Sequence, residues 1–155
     1  MLGTIATLAP LAIGYSMHQK GKKQGDYLNQ INQLITNLQL SWLPINQQLM
    51  QLAQAGTNTT DSEKLELQKQ IIQLQHYFFQ VTQIEAPTKY ARTHVKFVDA
   101  CMYLRQSTDL IQQTLAQLDS NKIELAISLA NQGTKELKEV RKELPFPYNL
   151  NFVPT

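Results

Sequence analysis

Residues 28–52 read LNQINQLITNLQLSWLPINQQLMQL, and their apolar side chains recur at alternating intervals of three and four. The series comprises Leu28, Ile31, Ile35, Leu38, Trp42, Ile45, Leu49 and Leu52. Because this spacing keeps one apolar stripe turned toward neighbouring helices for about three and a half heptads, it predicts a long helix. Pro44 lies in this segment but off the stripe. We expect it either to kink the helix near Trp42 or to begin a new helix there.

The residues that follow predict a second helix, from about residue 61 to residue 85. The stretch AGTNTTDSE (residues 55–63) ends the first helix at Gly56, and Thr60 and Glu63 have the spacing of a capping box that starts the second. Its apolar stripe comprises Leu67, Ile71, Leu74, Phe78 and Val81, widened by Ile72 and Phe79. Pro87 disfavours helical geometry at Ala86 and therefore ends this helix.

Two further helices are predicted, at about residues 88–119 and from just after residue 121 to Leu144. The stripe of the third comprises Tyr90, His94, Phe97, Cys101, Leu104, Thr108, Ile111, Leu115 and Leu118. The stripe of the fourth comprises Ile123, Ala126, Ala130, Gly133, Leu137, Val140 and Leu144. Four long helices joined by short loops predict an all-α fold, an antiparallel up-down-up-down four-helix bundle over residues 26–144.

The first seventeen residues, MLGTIATLAPLAIGYSM, carry no charge and precede Lys20, Lys22 and Lys23. A spanning helix needs about twenty apolar residues, with about seventeen as the lower limit, so we expect residues 1–19 to be an uncleaved N-terminal transmembrane helix. Residues 20–25 are then a basic linker. Lysines on this side of the segment favour a bacterial cell-membrane protein that contacts the membrane through residues 2–17 and has its bulk in the cytoplasm. The alternatives are a short buried helix, or a truncated signal peptide, which would place the bundle outside the cytoplasm.

The charge balance and the cysteine content argue against several classes of protein. The chain has 14 basic and 12 acidic side chains, a formal net charge of +2, which is too even for a global attraction to nucleic acid. Its single cysteine, Cys101, cannot form an internal disulfide and has no second cysteine with which to bind zinc. Nucleic acid is therefore not an expected partner.

The candidate ligand or polar core residues are His94, Cys101 and Thr108, since all three fall on the stripe of helix three. Seven helical residues separate His94 from Cys101 by about 10 Å along the axis, which argues against a nucleophilic pair. Asp99 points to another face, so these residues do not form a metal site. No catalytic or nucleotide-binding motif is present, and we expect no enzyme activity, cofactor or metal. His94 is expected to be a neutral core residue hydrogen-bonded to a carbonyl or hydroxyl group, and Cys101 a small apolar one.

Two segments leave alternatives open. The small stripe residues Ala126, Ala130 and Gly133 allow either a close approach of helices three and four or a small cavity for a ligand. The C-terminal tail, residues 145–155, is rich in proline and aromatic residues. It is expected either to fold over the end of the bundle near His94 or to be presented to a partner.

Residues 86–140 resemble the second half of a loose group of membrane-anchored or lipid-anchored bacterial helical-bundle proteins of unknown function. In that group a helix that opens with Pro, and continues with His, Phe or Leu, and Ala, leads through an LDS-like turn to an Ala-rich helix with a late Gly. The matching positions are Pro87, His94, Phe97, Ala100, Asp119, Ala126, Ala130 and Gly133. The resemblance implies a bacterial source and a bundle outside the membrane, in contrast to the lysine rule. The chain lacks the lipid-attachment cysteine near residue 20.

These features predict a non-catalytic interaction or scaffolding protein that is tethered to a membrane and binds a protein partner. The alternative is a sensor-type helical bundle that binds a ligand in the core around His94. An enzyme is the third interpretation. An internal cavity with a polar lining would distinguish the second from the first, because packed stripes leave no space for a ligand.

Overall fold

A computed structural model describes the backbone of residues 2–55 and 58–145 and the side chains of residues 21–55 and 58–145. These residues form four α-helices: α1 (Leu2–Ala55), α2 (Asp61–Thr82), α3 (Ala91–Ala116) and α4 (Ser120–Glu143). One turn of 3₁₀ helix, Thr88–Tyr90, precedes α3. No strand occurs within the described ranges, so the all-α prediction with four helices is confirmed.

Two of the helices begin at capped N-termini. At α2 the Glu63 N–H donates to Thr60 Oγ1 (3.2 Å), and the Thr60 N–H donates to Glu63 Oε2 (2.8 Å). The predicted capping box is therefore confirmed. At α4 the Asp119 carboxylate accepts from the N–H groups of Asn121 (3.0 Å) and Lys122 (3.3 Å). Each cap satisfies backbone donors that would otherwise lack a partner, and so fixes where the helix begins.

The four helices enclose one apolar core. α1 packs against α2 and α4, and α3 packs against the same two helices, most extensively against α4. Side-chain contacts show which parts of α3 and α4 meet: Thr93 and Lys96 bond to Glu143, and Ser107 bonds to the carbonyl of Ala126. The stripe of α4 is buried as predicted, from Ile123 to Leu144.

α1 differs from the prediction at Pro44. The helix is continuous from Leu2 to Ala55, so the alternative in which a new helix begins at Pro44 is wrong. A proline blocks one backbone hydrogen bond, and the burial of Trp42 (5% exposed) and Ile45 (0%) on either side keeps both parts of the helix on the same core. A kink near Trp42 stays a prediction. Residues 20–25, predicted as a linker, also belong to this helix.

Three residues that the sequence assigns to the buried stripes of α2 and α3 are exposed in the structure. Ile72 and Phe79 are 61% and 63% exposed. Each follows a buried stripe residue, Ile71 or Phe78, and one residue along a helix is a turn of about 100°, which carries the side chain away from the core. Leu118 is 41% exposed because α3 ends at Ala116, before the turn into α4. The C-terminal tail beyond residue 145 lies outside the described residues.

Candidate functional site

The polar group predicted on helix three lies where α1, the 3₁₀ turn and α3 meet. The Tyr27 hydroxyl of α1 and His94 Nδ1 of α3 share a hydrogen bond of 3.0 Å. Tyr27 is 3% exposed and stacks on Tyr90, with ring centroids 5.6 Å apart and an interplanar angle of 19°. The His94 ring also lies beside Phe97, with centroids 6.1 Å apart. His94 is thus hydrogen-bonded to a hydroxyl group but only half-buried, whereas the sequence predicted a core residue.

Burial determines the protonation of this pair. It lowers the pKa of His94 below its ordinary value of 6.5, since the charged imidazolium loses solvation. It raises the pKa of Tyr27 to about 12, with Tyr90 as a smaller cause. Near neutral pH both groups are therefore uncharged, and the hydrogen bond joins a neutral imidazole to a neutral phenol. The arrangement ties α1 to α3.

Tyr27 was not predicted as part of this cluster. The predicted apolar series begins at Leu28, yet Tyr27 lies four residues before Ile31 and therefore shares its face of the helix. That spacing was the available signal. The pairing with His94 joins residues 67 positions apart, so no local pattern indicates it.

The other two predicted polar core residues, Cys101 and Thr108, are both buried in the fold. Cys101 is 5% exposed, and burial raises the pKa of its thiol to about 12, which keeps it protonated. The Thr108 hydroxyl donates to the Arg105 carbonyl of its own helix (2.8 Å). His94, Cys101 and Thr108 therefore make separate contacts and do not form one site.

The small residues of α4 allow a close approach to α3. A Cβ atom added to Gly133 would lie 2.9 Å from Leu104 Cγ and 3.0 Å from the Ala100 carbonyl oxygen. Nearby, the Ser107 hydroxyl donates to the Ala126 carbonyl across the two helices (2.6 Å), a contact that the sequence did not indicate. Of the two alternatives for these residues, close packing is correct at Gly133. The ligand-binding interpretation stays a prediction.

The outward face of α2 carries an apolar row. Leu65, Ile72 and Phe79 follow one another at intervals of seven residues and are 53%, 61% and 63% exposed. Residues seven apart lie two helical turns from each other, so the row spans about 21 Å along one side of α2. Single exposed apolar residues are normal on protein surfaces, but a row with this period matches the spacing at which a packed helix is contacted.

Charged groups surround the end of the bundle that contains Tyr27. Lys96 forms an ion pair with Glu143, whose pKa is lowered mainly by that hydrogen bond, and Thr93 donates to the same carboxylate (3.2 Å). Lys22 and Lys23, predicted to lie at a membrane surface, are both exposed. The side chain of Lys20 lies outside the described residues.

Residues 21–55 and 58–145 contain no group of three or more His, Cys, Asp or Glu side chains placed to hold a metal ion. No helix in the part of the chain that the structure describes is long and apolar enough to cross a membrane. The side chains of the predicted membrane segment, residues 1–19, lie outside the described residues.

Comparisons with known proteins add no assignment: no protein-family model, curated protein or solved structure is significantly similar to this chain. The resemblance of residues 86–140 to anchored bacterial bundle proteins stays a prediction.

Proposed function

We propose that this chain is a membrane-tethered, antiparallel up-down-up-down helical bundle that acts by binding another protein rather than by catalysis. The contacts of Thr93 with Glu143 and of Ser107 with Ala126 support the antiparallel arrangement, because they pair early residues of α3 with late residues of α4 and the reverse. Burial shifts the pKa of His94, Tyr27 and Cys101 in the direction that favours the neutral form, which favours structural roles for all three.

The observation that carries the proposal is the row of Leu65, Ile72 and Phe79 on α2. We assign this row to a helix of a partner protein that carries apolar residues at the same seven-residue interval. Two helices that pack along their length meet at this period, and the three side chains together offer a continuous apolar edge. A partner helix would remove from water the side chains that the bundle itself leaves exposed.

The tether is the N-terminal segment. Its first seventeen residues are uncharged, and α1 continues from them into the bundle without a break. Lys22 and Lys23 follow on the exposed surface of the same helix, and the lysine rule favours a bundle that faces the cytoplasm. The alternative orientation places it outside the cytoplasm.

One experiment tests tether and partner surface together. A photo-crosslinking residue is placed at Ile72 or Phe79 of the full chain in bacterial cells, and at Gln73, an exposed neighbour on a different face, as the matched control. We expect the chain to stay in the membrane pellet after a carbonate wash, and one discrete adduct to form from positions 72 and 79 but not from 73.

Three outcomes would contradict the proposal or redirect it. Release of the full chain by carbonate would refute the tether. Equal labelling from all three positions, or none, would refute the partner surface. An adduct of twice the mass of the chain would replace the foreign partner with a second copy.

A further inference from the structure

The inference concerns the end of the bundle from which the N-terminal segment emerges. The stacking of Tyr27 on Tyr90 places the first described side chains of α1 beside the 3₁₀ turn. The bonds from Thr93 and Lys96 to Glu143 place the end of α4 beside the start of α3. Residues 21–27, 83–96 and 139–145 therefore share one end, which we call the basal end.

Charge is distributed unevenly between the two ends. Without Arg141, whose guanidinium donates to Gln39 and Thr36 further along α1, the basal end has six basic residues against four acidic ones. The basic residues are Lys22, Lys23, Lys89, Arg92, Lys96 and Lys142, and the acidic ones are Asp26, Glu85, Glu139 and Glu143. The opposite part, residues 58–69 and 110–124, has three basic and five acidic residues. The basic residues there are Lys64, Lys69 and Lys122, and the acidic ones are Asp61, Glu63, Glu66, Asp119 and Glu124.

Among the described residues, some of the basic side chains at the basal end are already paired with acidic ones, and others are not. Lys96 and Lys142 are paired with Glu143 and Glu139. Lys89 and Arg92 are both exposed, and Lys89 lies over the ring of Tyr90, 5.6 Å from its centroid. The 3₁₀ turn and the start of α3 thus add exposed cations beside those of α1, from a part of the chain more than sixty residues away.

We propose that the basal end binds the surface of an anionic lipid bilayer, with Lys89 and Arg92 as contacts that the N-terminal lysines alone would not provide. The proposal rests on the proposed tether, because the uncharged segment lies on the same helix as Lys22 and Lys23 and brings this end to the headgroups. Each Lys or Arg near an anionic membrane adds attraction that salt weakens. The acidic opposite end would be repelled by the same surface.

The test uses the full chain in vesicles of phosphatidylcholine alone or mixed with phosphatidylglycerol. Cys101→Ala and Thr88→Cys substitutions provide one labelling position beside Lys89, and a dye there is quenched by headgroup-labelled lipid. We expect stronger quenching in the anionic vesicles, and loss of the difference in high salt. The Lys89→Gln, Arg92→Gln variant should show the weak quenching of the neutral vesicles in both. The control variant Lys69→Gln, Lys135→Gln removes two exposed cations elsewhere and should behave like the parent chain.

The outcomes separate this inference from the tether. Equal quenching in both kinds of vesicle, or equal effects of the two double variants, would refute the basal contact while leaving the tether intact. If the chain does not float with neutral vesicles, the tether is refuted. Flotation of the same chain with anionic vesicles then tests the basal contact by itself. Binding that falls about thirty-fold in the Lys89→Gln, Arg92→Gln variant would support it. Absence of binding to anionic vesicles would refute it.

Discussion

At the scale of residues, small side chains and buried hydroxyl groups set the spacing of α3 and α4. Gly133 leaves room for the Ala100 carbonyl and the Leu104 side chain. Nearby, the Ser107 hydroxyl donates a hydrogen bond to the Ala126 carbonyl. A glycine inside a helix ordinarily costs stability, because its unfolded chain is more flexible than that of alanine. Gly133 compensates through the contact that a larger residue would prevent.

Gly133, which packs closely against α3, and Gly21, which has no neighbour where an added Cβ would lie, provide a matched pair of substitutions. Gly133→Ala should lower the free energy of unfolding by about 1 to 3 kcal/mol, because the new methyl group would overlap Leu104 and a backbone carbonyl. Gly21→Ala places its methyl group in open space, so it should raise the free energy of unfolding by up to about 1 kcal/mol. Urea unfolding followed by circular dichroism measures both. A neutral effect of Gly133→Ala would show that α3 and α4 are less closely packed than described.

The Tyr27–His94 pair should make stability depend on acid. The folded pKa of His94 lies below its unfolded value of about 6.5, so the unfolded chain binds the proton more readily. The contribution of His94 is fully present above that value and is lost as the pH falls toward the folded pKa. His94→Gln should therefore reduce the loss of unfolding free energy between pH 7.5 and pH 5.5. An NMR titration that placed the pKa of His94 above 6.5 would contradict this account.

At the scale of elements, the helices could be predicted but their alignment could not. The spacing of apolar residues identified the stripes of α1 and α4, and Thr60 and Glu63 gave the start of α2. The sequence could not show that residues 83–90 let α3 begin well beyond the end of α2. A turn directly after α2 would have placed His94 level with Phe78, whereas Phe78 lines a groove with Arg105 and Asp109, about three and four turns further along α3. The neighbours of each α3 side chain depend on how far α3 is displaced along α2. The spacing of apolar residues in the sequence does not encode that displacement.

Pro44 provides the element-scale prediction. α1 passes through it, and a proline in a helix interior costs about 3 kcal/mol relative to alanine. Pro44→Ala restores one backbone donor and should raise the free energy of unfolding by about 1 to 3 kcal/mol in a urea titration. Trp42→Ala, two residues away, should lower it by about 3 to 5 kcal/mol because Trp42 is buried. If Pro44→Ala proved destabilising, the proline would be needed for the path of α1.

At the scale of the whole molecule, the buried residues of all four helices form a single cluster. It extends from Tyr27 in α1 to Leu144 after α4, and the partly buried Leu28, Tyr77 and Ile84 pack against it. The exposed row on α2 and the charged basal end lie on the outside of this one core. The sequence predicts neither surface, since its apolar stripe includes Ile72 and Phe79 and no local pattern brings Lys89 and Arg92 beside the lysines of α1.

A single core predicts a single unfolding transition. A chain that starts at Gly25 keeps the described core, which begins at Tyr27, and should fold cooperatively without detergent. Trp42 is the only tryptophan, so its fluorescence reports on α1 alone, whereas circular dichroism reports on all the helices. The two urea transitions should superimpose. Separate midpoints would mean that α1 detaches from the other helices before they unfold.

The continuity of α1 has a mechanical consequence. At about 1.5 Å per residue, its 54 residues form a rod of about 80 Å. A rod of this length is a lever: tilting its N-terminal part by about 20°, a common tilt for a helix in a bilayer, would swing the far end sideways by about 25 Å. In the proposed tethered arrangement, the first part of the chain would set the direction in which the bundle points and how far its distal tip can reach.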